Sequence, residues 1–69
     1  MKLSARNLLK GKVVKITHGA VNAEVTIQLP GSEQIVSIIT NGSVESLGLK
    51  EGMQAYAVIK ASSVMIAVD

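Results

Sequence analysis

The clearest pattern in the chain is a strict alternation of apolar and polar residues over nine positions. The apolar positions are Val21, Ala23, Val25, Ile27 and Leu29, and one polar residue separates each pair. Successive side chains of a strand point to opposite faces, so a period of two predicts a half-buried strand. The segment Pro30-Gly31-Ser32 follows as a turn, because Pro presets φ and Gly accepts a positive φ. Gln34 to Thr40 is apolar on both faces, which predicts a second strand, central or interfacial, that forms a hairpin with the first.

Three more strands are predicted outside this hairpin, one before it and two after it. Leu8 to Ile16 forms the first, and its internal Gly11 indicates a bulge or a sharp bend. The turn Thr17-His18-Gly19 then closes that strand. Gln54 to Lys60 and Val64 to Val68 form the last two, separated by Ala61-Ser62-Ser63.

A short helical turn is predicted between the third and fourth strands. Asn41-Gly42 ends the third strand, Ser43 caps a turn from Val44 to Leu47, and Gly48 ends it in a left-handed conformation. Glu51-Gly52 makes a further turn. Five short strands and one helical turn predict an all-β fold, a small five-stranded Greek-key barrel of the OB type, in a single domain over residues 1–69.

Composition indicates that this domain associates with copies of itself. A chain of 69 residues buries too little surface for a robust core of its own, and small domains compensate with disulfides, metals or association. The chain has no Cys and one His, His18, so disulfides and a structural zinc site are excluded. Because 48% of the residues are hydrophobic, we expect part of this surface to be covered in a homo-oligomer.

Charge and hydropathy argue against a membrane-spanning, a secreted or a strongly basic nucleic-acid-binding protein. No apolar run reaches the roughly 18 to 20 residues needed to span a bilayer, and the N-terminus turns polar at once with no hydrophobic signal core. We therefore expect a cytoplasmic protein. The net charge is +2, and Lys10, Lys12 and Lys15 are adequately explained as a solvated strand face.

No catalytic constellation is present. The acidic residues are scattered, no nucleophile elbow surrounds a serine, and no Gly-rich phosphate loop occurs. We predict that the chain is not an enzyme.

Three segments are unusually rich in hydrogen-bond donors, namely Ser4-Ala5-Arg6-Asn7, Thr40-Asn41-Gly42-Ser43 and Lys60-Ala61-Ser62-Ser63. Each alone is ordinary, because Ser and Asn commonly cap helices and make turns. Together they offer two cationic side chains, several hydroxyls, and backbone N–H groups beside small residues. That set suits a tetrahedral dianion, which needs many donors, some positive charge and no carboxylate.

Several segments of the chain, in order, resemble the molbindins, which are stand-alone Mop domains related to the TOBE modules of molybdate transporters and regulators. They are Ser4-Ala5-Arg6-Asn7, Lys10-Gly11, Gly19 to Val25, Ile39 to Ser43, Leu47-Gly48-Leu49 and Ile59 to Met65. The match covers essentially the whole chain, and its combination of motifs is specific. The resemblance implies an OB-type fold assembled as a hexamer, a trimer of dimers, which stores molybdate or tungstate at subunit interfaces.

Two kinds of oxyanion site are implied by the same resemblance. The first would use Ser4, Ala5, Arg6, Thr40, Ser43, Lys60, Ala61 and Ser62, with some of these residues from a neighbouring subunit. Ser63 is left open, because its side chain can face the core, and Gly42 stands where relatives vary. The second site, near a three-fold axis, would use His18, Gly19, Ala20, Val21 and Asn22, although a solvent-facing turn histidine explains His18 equally well. No metal ion would be ligated directly, because the protein would touch only the oxygens.

Two other functions remain open from the residues. OB barrels often bind single-stranded nucleic acid, but such surfaces stack bases on aromatic side chains, and Tyr56 is the only aromatic residue. A structural or regulatory module that changes partners in response to the anion is the other. Storage of the anion fits better than either.

Overall fold

In a computed structural model that describes residues 1–69, the chain forms one curled antiparallel sheet with a short helix at one end. The elements are β1 (Asn7–His18), β2 (Asn22–Gln28), β3 (Gln34–Thr40), α1 (Asn41–Leu47), β4 (Gln54–Ile59) and a 3₁₀ turn, Ala61–Ser63. The sheet order is β3-β2-β1-β4. β1 therefore pairs with both β2 and β4, while β3 and β4 are the edge strands. The sheet is a half-barrel whose open side exposes part of its interior.

The alternation in β2 builds the core as predicted. Ala23, Val25 and Ile27 are buried, while on the other face Asn22 and Glu24 are exposed and Thr26 is half-buried. The other buried residues are Val13 on β1, Val44 on α1 and Ala57 on β4. These six are the only buried residues of the chain, which is a small core even for a domain of this length.

The predicted fifth strand is wrong for the single chain. Val64 is extended, with φ −92° and ψ 126°, but no strand of the chain pairs with Val64 to Val68. A strand is defined by the neighbour to which it hydrogen-bonds, and apolar composition alone does not supply one. The side chains of Met65 and Ile66 are 92% and 86% exposed. The expected five-stranded closed barrel is therefore a four-stranded half-barrel.

Two glycine-based expectations also need correction. Gly11 is not a bulge, since the register shift in β1 lies between Val13 and Lys15. A Cβ on Gly11 would lie 2.5 Å from Cγ2 of Ile27 and 2.6 Å from the carbonyl oxygen of Gln28, so a close approach of β2 requires the glycine. In the β2–β3 turn the positive φ, 76°, belongs to Ser32 and not to Gly31.

β3 and α1 both form as predicted, but the position of β3 in the sheet and the first residue of α1 differ from the prediction. β3 has the predicted bounds, but it is an edge strand and not a central one, which leaves Val36 and Ile38 exposed. The helix begins at Asn41 and is capped by Thr40, whose side chain accepts a hydrogen bond from the N–H of Ser43. Gly48 ends it with φ 63°, as predicted. No helix of the structure has the length and apolar character needed to cross a bilayer.

Candidate oxyanion-binding site

Six of the eight residues predicted for the first site line one open pocket. The pocket has a volume of about 590 Å³ and is lined by Ser4, Ala5, Arg6, Val58, Lys60, Ala61 and Ser62. The antiparallel register of β1 and β4, in which Asn7 pairs with Ile59, brings the two segments together. Residues just before β1 therefore lie beside residues just after β4, although more than 50 positions separate them in the sequence.

A side-chain hydrogen bond holds the two segments in place. Nδ2 of Asn7 donates to the carbonyl oxygen of Ile59 over 3.2 Å. Immediately beyond Ile59, the 3₁₀ turn is closed by hydrogen bonds from the N–H of Ser63 to Lys60 and from the N–H of Val64 to Ala61. The N–H groups of Ala61 and Ser62 stand outside these bonds, next to the pocket.

The electrostatics of the pocket favour an anion. Arg6 and Lys60 are its two charged residues, both are exposed, and no carboxylate lines it. No cluster of three or more His, Cys, Asp or Glu side chains is placed to ligate a metal ion. The chemical capacity of the pocket is therefore to hold an acceptor-rich anion through hydroxyls, N–H groups and two cations.

Thr40 and Ser43 lie elsewhere on the same chain, at the start of α1, and do not line this pocket. Oγ1 of Thr40 accepts from the N–H of Ser43 over 3.0 Å and hydrogen-bonds to Oγ of Ser43 over 2.9 Å. Each hydroxyl has one hydrogen, so a bonded pair keeps one hydrogen free for a ligand. In the arrangement with Thr40 as donor, Ser43 presents that hydrogen.

The predicted second-site residues form the turn between β1 and β2. The N–H of Gly19 donates to the carbonyl oxygen of Asn22 over 2.7 Å. His18, at the end of β1, and the turn residues Ala20 and Val21 are exposed. One chain therefore presents this turn on its surface and does not enclose a site there.

Asn41, which was not among the predicted site residues, fixes this turn to α1. Its Nδ2 donates to the carbonyl oxygen of Gly19 over 2.9 Å, and its Oδ1 lies 2.8 Å from Nδ1 of His18. Its backbone N–H donates to Val21 over 2.8 Å. The pairing of Asn22 with Thr40 in the hairpin is the signal that could have placed Asn41 beside the turn.

The interior of the half-barrel forms a separate apolar cavity of about 380 Å³. Ten of its twelve lining residues are hydrophobic, including Met1, Ile39, Leu47 and Tyr56. Tyr56 remains a lone aromatic side chain, and its hydroxyl accepts a hydrogen bond from Gln54. No stacking platform for nucleic-acid bases is formed.

The fold and the paired segments define a small all-β domain with a pocket that contains two cationic side chains and no carboxylate. Residues 3–66 match the family model of the TOBE domain, and the chain belongs to that family. The family-level resemblance found in the sequence motifs is thereby confirmed.

Named relatives extend this assignment. Over 66 residues the chain is 52% identical to molybdenum-pterin-binding protein 3 of Clostridium pasteurianum, covering 96% of this chain and 97% of that protein. The structure of a molybdate-binding protein from Sporomusa ovata superposes with a TM-score of 0.92 at 32% identity, covering 99% of this chain and all of that one. The cytoplasmic molybdate-binding protein ModG, with molybdate bound, superposes with a TM-score of 0.90 at 55% identity, covering 94% of this chain and 46% of that one.

Proposed function

We propose that the chain binds molybdate or tungstate reversibly, as a tetrahedral dianion, and stores it in the cytoplasm without chemical change. One observation carries this proposal. Two segments that are distant in sequence converge on a single pocket that contains two cations, several donors and no carboxylate. The named relatives support it, since two of them are described as molybdate-binding proteins.

The donor set matches the ligand. A fully deprotonated oxyanion only accepts hydrogen bonds, and charge-assisted bonds from Arg and Lys are the stronger kind. Hydrogen phosphate must also donate a proton, and the pocket has no carboxylate to receive it. Once a neighbouring protomer covers the pocket, a donor without a partner would cost free energy. A lining whose acceptors are limited to serine hydroxyls and backbone carbonyls would therefore disfavour protonated oxyanions.

We propose that the site is completed by association into a homo-oligomer, a hexamer built as a trimer of dimers. The single chain exposes 5420 Å², whereas a folded monomer of this mass exposes about a quarter less by the usual scaling. The apolar segment Val64 to Val68, which is extended at Val64, has no strand partner in the chain, and β3 and β4 each have a free edge. A second copy would supply both the missing strand partner and the cover for the apolar cavity.

The remaining first-site residues fit this arrangement. Thr40 and Ser43 are outside the pocket of their own chain, so they would reach the anion from a neighbouring protomer. Of that pair, one hydroxyl hydrogen is free to bind the ligand.

We also propose a second oxyanion site, formed where copies of the turn His18 to Asn22 meet. The turn is exposed, small at Gly19 and Ala20, and fixed by Asn41. His18 would supply the charge at that site when its imidazole is protonated.

Native mass spectrometry with and without sodium molybdate tests both stoichiometries at once. We expect hexamers that gain a defined number of anions. Arg6→Ala combined with Lys60→Ala should lose first-site affinity and keep the β-fold. The matched control, Lys15→Ala with Lys50→Ala, removes the same charge from exposed positions outside the pocket and should bind normally. Equal affinity in the two double variants would refute the assigned pocket.

A further inference from the structure

We propose, building on the second oxyanion site of the proposed function, that His18 is a specificity-determining residue and that Asn41 positions it. Asn41 holds the neutral ring in one tautomer, so that protonation of His18 decides whether the turn accepts a fully deprotonated oxyanion. The proposal rests on the hydrogen bonds of the Asn41 and His18 side chains.

The orientation of the Asn41 amide is set by Gly19. The carbonyl oxygen of Gly19 only accepts hydrogen bonds, and it lies 2.9 Å from one end of the amide. The NH₂ group must therefore face Gly19, because an amide oxygen there would repel the carbonyl. Oδ1 of Asn41 then faces Nδ1 of His18, at 2.8 Å.

The tautomer of His18 follows from that orientation. Oδ1 of Asn41 only accepts, so Nδ1 of His18 must carry the hydrogen. In the neutral imidazole Nε2 then has no hydrogen and presents a lone pair. In the imidazolium both nitrogens are donors, so the bond to Asn41 is kept while Nε2 becomes an N–H donor. The switch therefore needs no movement of the turn.

The protonation state of His18 therefore affects which anion the turn can bind. Molybdate is acceptor-only, so the lone pair of neutral His18 repels it, while the imidazolium both donates to it and supplies charge. Hydrogen phosphate carries its own O–H and can donate to the neutral ring. The neutral ring thus disfavours molybdate alone, whereas hydrogen phosphate can bind either form of the ring, because it carries both an O–H group and unprotonated oxygens.

The charged groups around His18 leave this choice to the imidazole. His18 is exposed and forms no ion pair, and its one side-chain hydrogen bond is to Asn41. Lys15 on β1 and Glu24 on β2 point to the opposite face of the sheet, because Thr17 pairs with Glu24 and His18 with Ala23. β3 has no charged residue, and Glu45 lies one helical turn after Asn41 on α1. The carboxylate of Glu51 accepts a hydrogen bond from the N–H of Ile16, two residues before His18. A Glu45→Gln variant separates the effect of that carboxylate from that of the tautomer.

Nitrogen-15 NMR of the full chain, with the imidazole in its neutral form, tests the positioning step without any anion. We expect His18 to be protonated at Nδ1 in the native chain and to shift toward Nε2 in Asn41→Ala. A native ring protonated at Nε2 would overturn the proposal directly.

Calorimetry with sodium molybdate tests the specificity. Across a pH series, second-site affinity should be roughly tenfold weaker where the ring is neutral than where it is the imidazolium, since one charge-assisted hydrogen bond is lost. His18→Lys, a permanent donor, should abolish the pH dependence. The Glu45→Gln variant should keep the pH dependence.

The outcomes separate this proposal from the proposed function. A second-site affinity without pH dependence, with binding at the Arg6 and Lys60 pocket intact, would overturn the role of His18 alone. No molybdate binding at any site would overturn the proposed function together with it.

Discussion

Asn7 and Ile59, 52 positions apart, are joined by a hydrogen bond from the Asn7 side chain to the Ile59 carbonyl and are also paired in the β1–β4 ladder. This double link sets the spacing between the two halves of the candidate pocket. Arg6 directly precedes Asn7 and Lys60 directly follows Ile59, so each cation lies one residue outside the pair. The geometry of the pocket is therefore fixed by strand register and by one amide.

Asn7→Ala should weaken both the fold and the pocket. Loss of a part-buried hydrogen bond should lower the free energy of unfolding by about 1 kcal/mol, and molybdate affinity should fall because the two segments separate more easily. Urea denaturation and calorimetry measure the two effects. Gln34→Ala, at an exposed strand end without a side-chain hydrogen bond, is the control. Identical behaviour of the two variants would show that the amide does not hold the segments.

Gly11→Ala and Gly42→Ala should change the stability of the fold in opposite directions. The new methyl at Gly11 would meet Ile27 and the Gln28 carbonyl below 3 Å, and such overpacking costs about 1 to 3 kcal/mol. At Gly42 the nearest atom is Oγ1 of Thr40 at 3.8 Å, and Ala in a helix is favoured over Gly by up to about 1 kcal/mol. Thermal unfolding of both variants at one protein concentration distinguishes them. A stabilised Gly11→Ala would contradict the close approach of β2.

Variants at Thr40 and Ser43 should affect the stability of the fold and the affinity for molybdate differently. Thr40→Val removes the helix cap and should cost about 1 kcal/mol of stability, whereas Thr40→Ser should keep the cap. Ser43→Ala keeps the N–H that Thr40 caps, so the fold should change little while first-site affinity falls. Denaturation and molybdate titration of the three variants are the measurements. A Ser43→Ala protein with native affinity would remove this hydroxyl from the proposed site.

Ile66→Lys should disrupt assembly. The side chain is 86% exposed in the single chain, and a charge there would be buried without a partner if the segment pairs with a second copy. Sedimentation should show smaller species than for the native protein. Thr17→Lys adds the same charge at an exposed position of β1, opposite Glu24, and should assemble normally. Native-sized oligomers of Ile66→Lys would place the segment outside the interface.

The sequence predicted those parts of the fold that depend on local chemistry. The alternation in β2 identified Ala23, Val25 and Ile27 as core, and the bounds of β3 were correct. The N-cap was displaced from Ser43 to Thr40, because both residues have hydroxyls and the pattern alone does not rank them. The fifth strand failed since pairing is a property of two segments, and none in the chain pairs with Val64 to Val68.

The candidate site was predictable to a similar degree. The residues around Arg6 and Lys60 were identified as donor-rich and by family resemblance, and strand register brings them together. Asn41 was missed as a site residue because its role depends on a hydrogen bond across 23 positions. Such a contact leaves no periodic signal in the sequence.

Because Ser43 does not line the Arg6 pocket of its own protomer, the proposed site has a consequence for how firmly the anion is retained. Under the proposed function, a protomer that leaves its neighbours keeps only part of the ligand shell, so simple dilution would discharge the ion. Retention would then rise more steeply than the number of chains produced. A cell could empty such a store by halting synthesis, without any dedicated release factor.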